Sequence, residues 1–148
     1  MTQPPHDPVG FRLLNEIGII AQLSSAHFEA LLPDGLSMAG FSVLNHFVRL
    51  GDERMLVDLA RAFQVSKGAM TNTVQRLEAR GLVEVRPDAT DRRAKRVHIT
   101  AAGRAMREDC VARLAPTLAA LDAGFDRDAL SGLLPPLAGL RAWFDGRR

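Results

Sequence analysis

The feature that most constrains the fold is a change in hydrophobic spacing at Gly81. Before it, apolar residues recur every three to four positions in two short segments, residues 57–63 and 67–80. After it, residues 82–86 and 96–100 alternate apolar and polar side chains. The first spacing is typical of helices and the second of strands. Two short helices joined by a three-residue turn and followed by a hairpin predict a winged helix-turn-helix.

Helices are predicted on both sides of this segment, so the expected fold class is mainly α with a small β-wing (α+β). Residues 8–32 form a first helix that carries apolar side chains on two faces. Ser37 is a suitable N-cap for a second helix, and residues 51–54 are predicted to form a polar loop after it. Residues 1–7 show no periodicity, which predicts a flexible N-terminal arm.

Two more helices are predicted after the hairpin. Thr100 caps a long one over residues 101–121, and Pro116 should bend it. The last helix spans residues 127–144, and the prolines at 135–136 should kink or split it.

By function, the chain is expected to divide into a winged helix-turn-helix lobe, residues 37–99, and a helical dimerisation region, residues 8–36 and 100–148. A first helix with two apolar faces needs more cover than one chain of 148 residues offers, so a second copy is its natural partner. The side chains expected in this contact are Phe11, Leu14, Leu137, Leu140 and Phe144.

Charge is distributed unevenly along the chain. Residues 61–107 contain eleven Lys or Arg and four Asp or Glu, a net charge of +7, whereas the whole chain carries only +2. The remaining residues therefore sum to −5. A basic middle segment indicates a polyanionic partner, and a solvated basic face is the alternative.

The helix predicted over residues 67–80 has one side suited to reading DNA. Asn and Gln pair with adenine in the major groove, Arg pairs with guanine, and Thr contacts a thymine methyl or a phosphate. A glycine near the helix start leaves room for the DNA backbone, which the helix N-terminus also attracts. The side chains on this side are Lys67, Gly68, Thr71, Asn72, Gln75 and Arg76.

The loop between the two strands adds a second basic element. Four of the five residues 92–96 are basic, and an arginine at such a tip can enter the narrow minor groove. We expect Arg93 to be this probe, with Arg92 and Lys95 on phosphates. Asp91 is expected to hold Arg93 through a bidentate salt bridge.

The wing resembles that of the MarR-type transcriptional regulators, whose motif Asp-x-Arg-x-Lys is present here as Asp91, Arg93 and Lys95. The segment from Asp58 to Val83 is similar to the family's helix-turn-helix. The resemblance implies a homodimer whose terminal helices interlock, with each lobe reading half of a palindromic operator. It also implies a repressor that responds to a small aromatic or anionic effector. Gln64 departs from the family pattern, because members often have Gly in this turn.

Two kinds of regulatory residue are candidates. His27 and His46 could contact an effector in a crevice between the dimer helices and the lobe, although such histidines are more often structural. Cys110 could sense oxidants, with Arg107 and Arg113 lowering its pKa, or it could be a small buried hydrophobe. The histidines and the cysteine show no metal-ligand spacing, so neither metal nor cofactor is predicted.

Other classes of function fit less well. There is no glycine-rich phosphate loop, no nucleophile elbow and no closely spaced carboxylate pair, so we do not expect an enzyme. A winged helix used only for protein contacts remains an alternative, but it needs neither the polar helix face nor the basic loop. No apolar run approaches the ~20 residues that span a bilayer, and a single cysteine fits the cytoplasm.

Overall fold

The structure, a computed structural model, describes residues 7–148 and contains two compact units. The first unit ends at Arg113, and the second spans Leu114–Arg148. Within the described residues, no helix is both long and apolar enough to cross a membrane. The elements in chain order are α1 (Val9–Glu29), α2 (Met38–Leu50), β1 (Glu53–Met55), α3 (Leu56–Ala62), α4 (Lys67–Ala79), β2 (Val83–Pro87), β3 (Lys95–Ile99), α5 (Ala101–Ala112), α6 (Ala115–Gly124) and α7 (Arg127–Asp145). This mainly helical fold with a small sheet confirms the predicted class.

The helix-turn-helix consists of α3 and α4. Ser66 caps α4, because its Oγ accepts the backbone N–H of Ala69 at 3.1 Å. Gln64, in the turn, has φ 51°, the left-handed conformation that glycine adopts most easily. The tight turn is therefore formed despite the side chain.

The sheet has three antiparallel strands in the order β1-β3-β2. The predicted hairpin is present, with Val83 opposite Ile99 and Val85 opposite Val97. The prediction of a polar loop over residues 51–54 is wrong in part, because Glu53–Met55 forms β1 and pairs with β3. Three residues are too few to show an alternating pattern, and the partner strand lies more than 40 residues away.

The core of the lobe lies between the helices and the sheet. Leu44, Phe47, Leu59, Val97 and Cys110 are completely buried. Gly103 lies against the chain at the start of β2, where a Cβ would overlap the carbonyl oxygen of Leu82. This close approach fixes α5 against the turn between α4, the second helix of the helix-turn-helix and hence the recognition helix, and strand β2 of the wing.

The two predictions about prolines in helices need correction. The long helix over residues 101–121 is in fact two helices, α5 and α6, separated at 113–114. Pro116 cannot donate a hydrogen bond and its ring would clash with the carbonyl of residue 112, so it stands at the start of a new helix. The prediction for the last helix is corrected only in part: α7 continues through Pro135 and Pro136 and is not split, while the kink stays a prediction.

The predicted regions and the compact units are divided at different positions. The structural division follows Arg113, whereas the sequence-based division into residues 37–99 and their flanks concerns function and stays a prediction. The predicted arm, including His6, lies outside the described residues except for Asp7.

Candidate nucleic-acid interface

Helix α4 has one buried side and one exposed side. Met70, Val74 and Leu77 are 2–3% exposed and attach the helix to the core. The opposite side presents Asn72, Gln75 and Arg76 to solvent, beyond Lys67 and Gly68 at the helix start. Thr71 is half-buried, and its hydroxyl donates to the carbonyl of Lys67 at 2.8 Å. The side predicted to read DNA is therefore the accessible side.

Gly68 differs from the glycines that the fold requires. At Gly40, a Cβ would meet Leu36 at 3.1 Å and Leu77 at 3.2 Å. These two side chains would have to move to admit any residue larger than glycine. At Gly68, the nearest contact of a Cβ would be the Ser66 Oγ at 4.0 Å, an ordinary van der Waals distance, so a methyl group would fit. Glycine in a helix costs about 1 kcal/mol relative to alanine. Among the residues that the structure describes, no close contact requires a glycine at this position.

The loop at the wing tip is organised by Asp88, which the sequence analysis did not single out. Asp88 is only 7% exposed. Its carboxylate accepts the backbone N–H groups of Asp91 at 2.9 Å and Thr90 at 3.1 Å, and it pairs with the Arg96 guanidinium. These bonds, led by that from Asp91, hold the pKa of Asp88 below its usual value. The signal available in the sequence was an aspartate at the start of a loop, a position where its side chain often bonds the next backbone N–H groups.

Arg96 connects this loop to β1. Its guanidinium pairs with both Asp88 and Glu53, and these two carboxylates raise its pKa. Glu53 also lies 3.4 Å from the Nε2 of His98. The wing loop, β3 and β1 are therefore joined by charged side chains as well as by the sheet.

The predicted salt bridge between Asp91 and Arg93 is wrong. The Asp91 carboxylate instead accepts the backbone N–H of Arg93 at 3.1 Å. An aspartate side chain is short, and the N–H group two residues ahead is its nearest donor in a tight turn. Asp91 shapes the loop backbone, while Arg93 stays exposed.

A cleft of about 250 Å³ lies between the start of α4 and the wing. Lys67, Arg93 and Lys95 line it together with Asp91, and its apolar wall is the segment 55–57. Both lysines of the chain therefore border one cavity. The structure brings these predicted residues together, whereas Asn72, Gln75, Arg76 and Arg92 do not line the cleft.

The four carboxylates of the basic segment are all held by bonds within the lobe. Glu78 accepts the backbone N–H of Val85 at 2.8 Å, and Glu84 pairs with Arg86. Asp88 and Asp91 bind the wing loop as described above. Negative charge in this segment thus serves local structure, and the exposed face of α4 carries none between Lys67 and Leu77.

The two candidate effector histidines occupy different surroundings. The ring of His46 is half-buried and lies 5.3 Å from that of Phe63. Burial, with smaller contributions from Arg54 and Arg49, lowers its pKa. His27 is exposed on α1, and neither histidine lines the cleft beside α4.

Cys110 is in the core, and the expectation of a lowered pKa is wrong. Burial, reinforced by the charge of Asp109, raises the pKa of its thiol despite Arg113. Arg107 instead donates to the Oδ1 of Asn45, with both nitrogen–oxygen distances at 3.1 Å. In the described part of the chain, no three His, Cys, Asp or Glu side chains form a group able to hold a metal ion.

Comparisons with known proteins agree with this architecture. The MarR family model matches residues 34–94. The transcriptional regulator BldR of Sulfolobus solfataricus is 30% identical, with 87% of this chain and 94% of that chain covered and a TM-score of 0.69. Wild-type MarR of E. coli is 27% identical, with coverage of 93% and 98% and a TM-score of 0.73.

A third similar structure is BpsR of Bordetella bronchiseptica, whose DNA binding is regulated by 6-hydroxynicotinic acid. It is 26% identical, 88% of this chain and 98% of that chain are covered, and the TM-score is 0.69. The similarity thus extends over most of the chain, from the first helix through the wing to the last helices. The chain belongs to the MarR family of transcriptional regulators.

Proposed function

We propose that this regulator acts in the cytoplasm as a homodimer that binds a palindromic double-stranded operator and represses transcription by blocking the promoter. The observation that carries the proposal is the exposed side of α4 beside a wing with three further basic residues. A helix of this kind fits the major groove, where each base pair has a distinct pattern of donors and acceptors. Two-fold symmetry of the protein would match a palindrome in the DNA.

Each part of this surface has a proposed task. Thr71, Asn72, Gln75 and Arg76 read base edges. Phosphate contacts come from three cationic side chains, Lys67, Arg92 and Lys95. Arg93 enters the minor groove, which attracts arginine most strongly where it is narrow.

Gly68 supports a close approach of DNA to α4. The fold leaves space for a side chain at this position, yet the helix keeps glycine there. A phosphate lying against the first turn of α4 would fill that space, and the helix N-terminus favours such an anion. The missing side chain is thus explained by a partner outside the chain.

The homodimer is supported by the apolar surface of the terminal helices. Phe11 and Leu14 on α1 are 56% and 44% exposed. On α7, Leu137 and Phe144 are 39% and 47% exposed, and Leu140 is half-buried. Apolar surface of this extent is typical of protein–protein contacts, and a second copy offers surface of the same kind.

An effector response is the least specified part of the proposal. The regulation of BpsR by 6-hydroxynicotinic acid supports a small aromatic or anionic ligand. His27 and His46 remain the proposed contacts. Cys110 is a weaker candidate for regulation, because a buried thiol with a raised pKa carries little reactive thiolate.

The wing contact is tested by titrating duplex DNA at several salt concentrations. Arg93→Ala should weaken binding by roughly 1–3 kcal/mol and make the slope of log affinity against log salt shallower by about 1. Arg12→Ala, which removes the same charge from α1, is the matched control and should leave both quantities unchanged. Equal affinity and slope for wild type and Arg93→Ala would remove the wing from the mechanism. A wild-type protein that binds no duplex would favour the protein-interaction alternative.

A further inference from the structure

Glu78 stands where negative charge is doubly unfavourable. It lies in the last turn of α4, at the negative end of the helix dipole, and in the segment of charge +7 that is proposed to face DNA. Its carboxylate accepts the backbone N–H of Val85 on β2 at 2.8 Å. A hydrogen bond that a backbone N–H donates to a charged acceptor is strong enough to offset such costs.

The donor of this bond belongs to the outer strand of the sheet. In the order β1-β3-β2, strand β2 pairs on one side only, with β3. The N–H groups on its other side have no strand to bind. Glu78 supplies an acceptor for one of them, and this acceptor comes from the recognition helix itself.

The turn between α4 and β2 is held separately. Leu82 donates its N–H to the carbonyl of Leu77 at 3.0 Å and accepts the N–H of Thr100 at 3.1 Å. Thr100 also donates its hydroxyl to the carbonyl of Gly81 at 2.6 Å, and Gly103 closes on Leu82 from the other side. These contacts fix the point where the helix and the wing meet.

Core packing and the turn hold α4 against the start of β2, where Val83 is buried. The rest of β2 is exposed or half-buried, so these contacts constrain its direction less firmly. Val85 lies three residues beyond Leu82, which is about 10 Å along a strand. A bond at Val85 therefore acts at a distance from the turn, and two separated attachments define an angle. The angle matters because Arg93 lies on the wing beyond β2, while the base-reading side chains lie on α4.

We propose that Glu78 is a positioning residue, which locks the recognition helix and the wing at the angle that lets both contact DNA together. This inference rests on the proposed function, since it needs Arg93 to bind DNA. Without the bond between Glu78 and Val85, α4 still enters the major groove. The wing, however, must then be brought to the correct angle during binding, which costs part of the binding free energy. The loss then appears in the contacts of the wing, which are made by Arg92, Arg93 and Lys95, and not in those of α4.

The test compares two substitutions of Glu78 on the double-stranded fragment that wild type enriches from a random-sequence pool. Glu78→Gln keeps an acceptor oxygen and removes the charge, whereas Glu78→Ala removes both. Loss of one such bond should weaken binding about tenfold for Glu78→Ala. Glu78→Gln should stay within about twofold of wild type or bind more tightly. Glu84→Ala is the control, because it removes the same charge from β2 without touching α4.

A double-mutant cycle with Arg93→Ala separates positioning from a general loss of stability. If Glu78 acts through the wing, Glu78→Ala should have a smaller effect on affinity once Arg93 is replaced by alanine. The effect should fall below about twofold once Arg92 and Lys95 are replaced by alanine as well. Thermal unfolding is monitored by circular dichroism for every variant. All affinities are then measured at a temperature at which every variant is folded.

The outcomes are distinct. Equal affinity of the two Glu78 variants, or an undiminished effect of Glu78→Ala in the Arg93→Ala background, would overturn the positioning proposal alone. If Arg93→Ala by itself has no effect, the wing contact is wrong and the positioning proposal falls with it. A tenfold loss that Gln rescues, that shrinks without Arg93 and that disappears when Arg92 and Lys95 are also replaced establishes the proposal.

Discussion

The lobe and the last two helices bury their apolar residues very differently. Leu44, Phe47 and Leu59 in the lobe are completely buried, and so is Val97 on β3. In α6 and α7, no residue is buried. Seven large apolar side chains of these two helices are 39–65% exposed, namely Leu118, Leu121, Leu133, Leu134, Leu137, Trp143 and Phe144, while Leu130 and Leu140 are half-buried. The lobe completes its core within one chain, whereas the last helices present a surface that needs cover.

The two regions therefore call for partners of different chemistry. The lobe presents polar and basic side chains around a closed core, which suits a polyanion. The C-terminal helices present leucines and aromatic rings, which suit another apolar surface. The modest net charge of the whole chain is the sum of a basic region and an acidic remainder. Each prediction below tests one side of this contrast.

The largest effect is expected from a charge placed on the apolar surface of α7. Leu137→Asp or Phe144→Asp should dissociate the proposed dimer, because each buries a carboxylate at the contact. Each separated protomer then binds DNA with one lobe instead of two linked lobes, which should weaken operator binding by a factor of about 10²–10⁴. Sedimentation and DNA titration measure the two effects. Leu50→Asp, at an exposed leucine of the lobe, should leave the assembly intact, and an intact dimer in both α7 variants would refute the contact.

A smaller effect, with opposite signs for stability and function, is expected at Gly68. Gly68→Ala should raise the free energy of unfolding by about 0.5–1 kcal/mol, because alanine favours the helix and has space. It should weaken DNA binding about tenfold, because the methyl group occupies the site of the approaching backbone.

Gly40→Ala provides the contrast within the same lobe. It should lower the free energy of unfolding, since Leu36 and Leu77 crowd the added Cβ. Denaturant unfolding and DNA titration give both quantities for each variant. Tighter or unchanged DNA binding by Gly68→Ala would show that its missing side chain has no role at the DNA.

The wing should lose stability in acid because of Asp88. Its pKa is lowered in the folded protein, so its contribution is complete above the ordinary aspartate pKa of about 4. This contribution to stability decreases as the pH falls below about 4 and is lost once the pH has passed through the lower pKa that Asp88 has in the folded protein. Wild type should therefore lose more unfolding free energy between about pH 5 and pH 3 than Asp88→Asn does. Parallel curves for the two proteins would contradict this role of the carboxylate.

The smallest effect is expected in the turn of the helix-turn-helix. Gln64 has φ 51°, which costs an ordinary side chain more than glycine. Gln64→Gly should raise the free energy of unfolding by up to about 1 kcal/mol, after the greater flexibility of unfolded glycine is deducted. Operator affinity should not change. A loss of stability would mean that the Gln64 side chain makes a contact worth more than the strain.

Local patterns in the sequence predicted what local physics determines. The helix caps at Ser37 and Thr100, the exposed side of α4 and the presence of the hairpin all follow from spacing within a few residues. Strand β1 was missed because its partner is distant, and the bond from Arg96 to Glu53 spans 43 positions. Helix α6 was merged with α5 because the apolar spacing continues across Pro116. Contacts between distant segments leave little trace in one sequence. The bonds of Asp88 and Glu78 span only two to eight positions. Their roles were missed because an acidic residue in a sequence does not show which donor its carboxylate accepts.

Selection of DNA by the wild-type protein tests the central claim most directly. Double-stranded fragments enriched from a random-sequence pool, and in parallel from the genome, are sequenced and the shared motif is extracted. A dimer of two lobes that each read a major groove predicts an inverted repeat with half-site centres about 10 base pairs, or a multiple of that, apart. Enrichment of no motif, or of a single motif without inverted symmetry, would contradict the account.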